Sequence, residues 1–335
     1  MKTRLLLTGV MAAMLFSCSS EENANSSTMN TKADNKGELA ALQKKKLETL
    51  KQRFSFDAGR ERVTIKTKAG VKINIAPSRL RLNGQPVQGI VNVEYIEIFD
   101  RATMLMANRT TMGVDAATGD QQTVAPLSSG GEFYVNMTNQ EGQNLDEGSE
   151  FELVVPTALT GGDENAQDMT EWTGEENQDG DVIWEEETND DGTDEEVPVQ
   201  NDEFIMSLDK FGWCNIDKLV QFGYPGTSMY VDVPSGYDDT NTKIYVTFQG
   251  QQSLMVRLTG YDASTGLFDD HNYNTMPEGM ACSVICVSTQ GGQWYYGVKN
   301  IVVPTGDPTN PIVFNPGDLT VVTSPALIAA INGLP

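Results

Sequence analysis

Ile90-Val-Asn-Val-Glu-Tyr-Ile-Glu-Ile98 decides the fold. Val91, Val93 and Tyr95 alternate with Asn92 and Glu94, so one face is apolar and the other polar. That period of two belongs to a strand lying on a core, not to a helix. The pattern repeats outward in both directions. Arg62 to Lys68 alternates, and so does Val71 to Ile75. Asn83-Gly84 is a turn signal, and Gly130-Gly131 precedes a further strand, Glu132 to Met137. Phe151 to Val155 closes the set before Pro156. Short strands with turn residues between them predict a β-sandwich over 59–160. A second set runs through Phe204–Leu208, Phe211–Asp217, Ser228–Val233, Lys243–Phe248, Leu254–Leu258, Ala281–Ser288, Gln293–Val298 and Pro311–Phe314. It predicts another sandwich over 204–335. The fold class is therefore mainly β, as two β-sandwich domains with an N-terminal helix and an acidic connector.

The helix is expected in segment 38–58. Leu39, Leu42, Leu47, Leu50 and Phe54 recur near the helical period, with Lys44, Lys45, Lys46, Lys51 and Arg53 elsewhere. It is expected to pack on the first sheet with its lysines in solvent. A short apolar helix is also expected from Ser324 to Leu334.

Ahead of this lies an N-terminal address. Lys2 and Arg4 precede an apolar run from Leu5 to Phe16, which ends in Ser17 and Cys18. The run is shorter than the roughly 20 residues that span a bilayer, so 1–17 reads as a signal peptide. Residues 18–37 are polar, contain no aromatic residue, and read as a flexible tether. Leu15-Phe16-Ser17-Cys18 resembles the lipobox of bacterial lipoproteins. The resemblance implies that Cys18 is lipidated and anchors the mature chain to a membrane. Ser19-Ser20-Glu21-Glu22 resembles the surface-export signal of Bacteroidota lipoproteins, which implies an outer-membrane protein facing outward.

The chain carries a net charge of −24. Residues 161–203 hold 18 acidic residues and no basic one. Nucleic acid is excluded as a partner class, because affinity for it rests on lysine and arginine meeting phosphates. The single histidine, His271, sits in a polar turn, Asp269-Asp270-His271-Asn272. A Ser-His-Asp triad, a Cys-His dyad or a histidine-rich zinc site would each need it, so no catalytic residue is assigned. Besides Cys18, the cysteines are Cys214, Cys282 and Cys286. Cys282 and Cys286 are roughly 13 Å apart along one strand, too far to bond each other. Either could pair with Cys214, with buried free thiols as the alternative.

The acidic connector holds the one constellation with chemistry in it. Glu175, Asn177, Asp179, Asp181 and Glu186 fall at the oxygen-donor spacing of an EF-hand loop, with Gly180 at the turn. The implied guest is Ca2+. Position one is Glu rather than Asp, and the flanks do not read as helices. The preferred alternative is a β-hairpin, with Met169–Trp172 and Asp181–Trp184 as strands around a turn at Asn177–Gly180.

Gly89-Ile-Val-Asn-Val-Glu-Tyr95, Asp100 to Met106, and Leu127-Ser-Ser-Gly-Gly-Glu-Phe-Tyr134 resemble a β-sandwich module of Bacteroidota surface proteins and, more distantly, ZU5-like and cartilage-intermediate-layer-like extracellular domains. Phe211 to Asp217 is similar to a Gly-Trp-x-Asn-Cys-Asp segment of Bacteroidota lipoproteins, with Cys214 and Ile216 exchanged in place. These are structural motifs and imply no catalytic residue. The expected function is a non-enzymatic surface lipoprotein with a structural or protein-docking role, whose partner is another envelope protein or a glycan. One alternative is a carbohydrate-binding accessory protein that stacks sugars on Tyr237, Tyr261, Tyr273 or Trp294. Another is a hydrolase using paired carboxylates, although no pair stands out in the sequence.

Overall fold

The alternating segments become strands, and the computed structural model describes residues 37–114, 124–162, 166–177, 180–189, 192–271, 274–306 and 310–335. In the first half β1 is Gln52–Asp57, β2 Val63–Lys66 and β3 Lys72–Ile75, followed by a small hairpin of β4 (Arg81–Leu82) and β5 (Gln85–Pro86). Then come β6 (Ile90–Ile98), β7 (Met112–Val114), β8 (Val124–Asn139) and β9 (Phe151–Pro156). The acidic segment adds β10 (Thr170–Glu176) and β11 (Val182–Glu186). β12 (Val199–Gln200), β13 (Glu203–Leu208) and β14 (Gly212–Leu219) complete the set.

These strands make two sheets, ordered β1-β6-β8-β14-β10-β11-β7 and β12-β13-β9-β3-β2. Their facing sides share one core. Val91, Val93, Tyr95, Phe133 and Val135 of the first sheet meet Ile73, Leu153, Val155, Phe204 and Met206 of the second. The first sheet also curls on itself, because β7 pairs with both β11 and the start of β8. The curl encloses Trp172 and Trp184, both fully buried. Gly113 and Gly174 make room for them: a Cβ on Gly113 would lie 2.6 Å from Trp172, and one on Gly174 would lie 2.9 Å from Trp184.

The second sandwich uses β15 (Gly226–Thr227), β16 (Tyr230–Asp232), β17 (Thr242–Phe248), β18 (Val256–Leu258), β19 (Gly260–Asp262) and β20 (Leu267–Asp269). It continues with β21 (Met276–Pro277), β22 (Ala281–Gln290), β23 (Gln293–Val302), β24 (Ile312–Val313) and β25 (Thr320–Val322). A sheet ordered β18-β17-β22-β23-β25 faces one ordered β19-β20-β16-β24. Ile244, Val246, Phe248 and Val284 meet Val231 and Phe268 across that core.

Three helices fill the space between the sandwiches: α1 (Glu38–Leu50), α2 (Arg101–Ala107) and α3 (Ser324–Asn332). A third core joins Leu39, Leu105, Leu327 and Ile331 of the helices to Ile96, Trp172 and Trp213 on one side and Tyr245, Ile285 and Trp294 on the other. The described residues thus form one compact unit. No helix among the described residues is long and apolar enough to cross a membrane.

Two boundaries and the packing of α1 differ from the sequence expectation. The helix expected over 38–58 stops at Leu50, and residues 52–57 become β1 on the edge of β6. The alternation of Gln52, Phe54 and Phe56 takes over once an unpaired edge is available. α1 lies against α2 and β22, not against the first sheet alone. The boundary expected at 204 is displaced: β13 pairs with β9, and β14 is inserted between β8 and β10. Backbone pairing across those edges outweighs proximity along the chain. The expected signal peptide 1–17, Cys18 and nearly all of the 18–37 tether lie outside the described residues.

Candidate functional site

The acidic segment does two different things at its two ends. Residues 170–186 form the hairpin, with Trp172 opposite Glu186 and Glu176 opposite Val182. Of the expected calcium ligands, Glu175 is exposed on β10. Asn177 Oδ1 accepts the Asp181 amide at 3.0 Å. Glu186 is four strand pairs from the turn, where its Oε1 accepts the Thr170 hydroxyl at 2.6 Å. Asp179 lies outside the described residues. Strand pairing draws the donors out along the ladder instead of curling them around a point. Among the described residues no group of three or more His, Cys, Asp or Glu is arranged to hold a metal.

Asp181 has another role. Arg257, on β18 of the second sandwich, grips both its carboxylate oxygens, with Nη2 to Oδ2 at 2.6 Å. Asn108 Nδ2 donates to Oδ1 at 2.6 Å, and Lys243 Nζ stands 3.4 Å away. Burial acts to raise this carboxyl's pKa, but Arg257 and Lys243, with the Asn108 hydrogen bond, hold it below its ordinary value. Arg109, between α2 and β7, braces the same turn from the first-sandwich side, donating to the Gly180 carbonyl at 2.8 Å and pairing with Glu176. The hairpin turn is a joint between the two sandwiches.

At the opposite end the hairpin walls a cleft. The cleft opens at the mouth of the first sandwich and has a volume of about 1350 Å3. Three glutamates are set around its floor by backbone hydrogen bonds. The Glu187 amide donates to the Glu171 carbonyl at 2.9 Å, the Glu171 amide to the Glu195 carbonyl at 2.8 Å, and the Glu195 amide to the Glu187 carbonyl at 2.9 Å. Glu171 projects from the face of β10 opposite Trp172 and is only 8% exposed. No hydrogen bond or ion pair reaches its carboxyl among the described residues. Burial, then the charges of Glu187, Glu195 and Asp209, push its pKa up to about 8. Its neighbour behaves in the opposite way. Burial acts to raise Glu187 too, but hydrogen bonds from Thr173 (2.5 Å) and Lys210 (3.0 Å), with the lysine charge, hold it low. Near neutral pH a protonated and an ionised carboxyl therefore stand on one floor, set apart by their surroundings.

A second acidic cluster is sealed inside. Gly130-Gly131 forms a bulge in β8 opposite Ile216, where Gly131 takes a φ of 131°. A Cβ there would lie 2.6 Å from Phe99. Beside the bulge Glu132, Asn215 and Asp217 are fully buried. Asn215 links Ser129 (3.0 Å) to Asp217 (2.6 Å), while neither oxygen of Glu132 has a partner. Burial pushes Glu132 up to about 8, against the pull of Arg109.

The remaining expected residues are dispersed. Cys214 lies in the core of the first sandwich, and Cys282 and Cys286 lie in that of the second. All three are buried free thiols, so the disulfide from Cys214 to Cys282 or Cys286 is not formed. Of the expected sugar platform, Trp294 is buried in the central core, Tyr261 leans on Phe268 at 4.8 Å, Tyr237 is half-buried, and Tyr273 lies outside the described residues. His271 is exposed in its turn. Sequence reasoning missed Glu171, Glu187, Asp217 and the buried arginines 101, 109 and 257. No protein-family model matches the chain, and no curated protein and no solved structure is significantly similar to it.

Proposed function

We propose that this protein is a non-enzymatic lipoprotein, held through Cys18 on the outer membrane and facing the cell surface, whose β body is a structural or protein-docking platform. The observation that carries the reading is the N-terminal series: Lys2 and Arg4, the apolar run to Phe16, then Ser17 and Cys18. The single compact unit formed by the described residues supports it, because a body clasped by Asp181 and Arg257 presents its surfaces in a fixed relation. The test is Cys18→Ser in cells. The wild type is expected in the outer-membrane fraction, carrying acyl label and cleaved by protease added to intact cells. The variant is expected to lose label and membrane retention. Unchanged fractionation of Cys18→Ser would refute the anchor, and full protection from protease would refute surface display.

A hydrolase is the second reading, favoured by the unlike protonation of Glu171 and Glu187 on one cleft floor. Release of reducing ends from envelope or host polysaccharides, lost in Glu171→Gln, would establish it.

A further inference from the structure

We propose that the cleft at the mouth of the first sandwich docks a positively charged peptide segment, with an ammonium or guanidinium group of the partner seated against Glu171. The inference rests on the docking reading above and names the chemistry of the partner. Glu171 is more than nine-tenths buried, unpartnered and turned into the cleft. Its oxygens open onto the cleft rather than being sealed like those of Glu132, so a group entering the cleft can reach them. The fixed charges say of which sign. Facing Glu171 are Glu187, Glu195 and Asp209, and Glu150 and Glu152 line the wall beyond. Cys214, a neutral thiol, is also close to Glu171. The cations of the lining are Arg62, Arg79 and Lys210. Two of these are spent: Arg79 pairs with Glu150 and Lys210 with Glu187. Asn74 occupies Glu152 at 2.8 Å. Among the described lining groups, Arg62 is the cation left over against the unpaired Glu195 and Asp209, so the floor repels anions and attracts cations.

Among the described residues no three carboxyls converge to hold a metal ion, and Glu187 is already engaged by Thr173 and Lys210. A volume of about 1350 Å3, open to solvent, has room for several residues of an extended chain. Burial first, and then the neighbouring carboxylates, keep Glu171 protonated, and an arriving cation would offset the second of these. The Glu171 proton would then pass to solvent, and an ionised carboxylate would pair with the cation. Docking and proton release are coupled.

The test is isothermal calorimetry of the purified soluble protein near neutral pH and at about 0.15 M salt, in two buffers of different ionisation enthalpy. The probes are a short lysine- and arginine-bearing peptide, the same peptide with glutamate at the basic positions, and spermidine. Glu171→Gln is the test variant. Asp239→Asn, an exposed position of the second sandwich, is the control for non-specific attraction. The expected result is binding of the basic peptide only, with release of roughly one proton. Glu171→Gln should weaken it at least about tenfold and abolish the proton release, while Asp239→Asn changes neither. Equal binding by Glu171→Gln, or binding without proton release, overturns the proposal. Spermidine binding with proton release while the peptide fails would make this a polyamine site and overturn the peptide partner. If no basic peptide binds but a defined outer-membrane partner still crosslinks to Glu171→Gln, the cleft inference fails and the docking reading survives.

Discussion

Asp181, in the turn of a hairpin from the first sandwich, is held through both carboxylate oxygens by the guanidinium of Arg257, on β18 of the second. The two positions are 76 residues apart in the chain. Breaking one side leaves a buried charge without its counterpart. Asp181→Ala and Arg257→Ala should each destabilise by about 3–5 kcal/mol, read from urea unfolding. The double substitution should cost much less than the sum, which a double-mutant cycle would show. Additive effects would mean that the pair is not coupled. The same clasp bears on calcium: with Asp181 committed to Arg257 and Lys243, Ca2+ at about 1 mM should leave the wild-type unfolding midpoint unmoved.

Glu132 gives stability a definite pH slope. In the unfolded chain it titrates near pH 4.5, and in the folded chain at about 8. The raised value means that folding favours the neutral acid. The contribution of Glu132 is therefore greatest below pH 4.5 and falls as pH rises towards 8. Each pH unit in that window costs about 1.4 kcal/mol, for a ceiling on the order of 5 kcal/mol. Asp217, raised in the same direction by burial, adds to the slope. Glu132→Gln should match the wild type at the acid end, exceed its urea midpoint at the alkaline end, and show a shallower slope. A variant as steep as the wild type would place the titration elsewhere.

The strands of the first sandwich were legible because Val91, Val93 and Tyr95 meet a core on one side only. The membership of β14 was not. Periodicity identifies a strand but not its neighbours, and β14 crosses the expected boundary to lie between β8 and β10. The buried arginines were hidden by their residue type, although Arg257 between Val256 and Leu258 kept the period of two. The hairpin was readable from Trp172, Gly180 and Trp184. The cleft was not, since Glu171, Glu187 and Glu195 meet only after the hairpin and the loop behind it have folded. Their spacing matches no local motif.

Gly174 and Gly113 test how tightly the curled sheet is filled. Neither takes a left-handed φ, so any cost of alanine is steric. A Cβ on Gly174 would lie 2.9 Å from Trp184, and would press still closer on Val182. On Gly113 it would lie 2.6 Å from Trp172 and 2.8 Å from Leu127. Overpacking of this kind costs about 1–3 kcal/mol, and the two tryptophans report it directly. Gly174→Ala and Gly113→Ala should each lower the unfolding midpoint and shift the tryptophan fluorescence. An exposed glycine such as Gly317, with open space around its Cβ position, should tolerate alanine.

The three cysteines should be chemically silent until the protein unfolds. Thiolate is the reactive form, and burial pushes Cys282 and Cys286 up to about 12 and Cys214 well above its ordinary value. Cys214 also lies in a different core from the other two, with the helical layer between the sandwiches. In a soluble form lacking Cys18, a maleimide probe should label none of them in the folded state. After denaturation without reductant it should add three labels, one each at Cys214, Cys282 and Cys286. A single label would mean that Cys214 has bonded one of the others, and would require the two cores to open to each other. Ala at Cys286, in a fully buried site, should cost more than Ser at the exposed Thr240, because it leaves a void in a packed core.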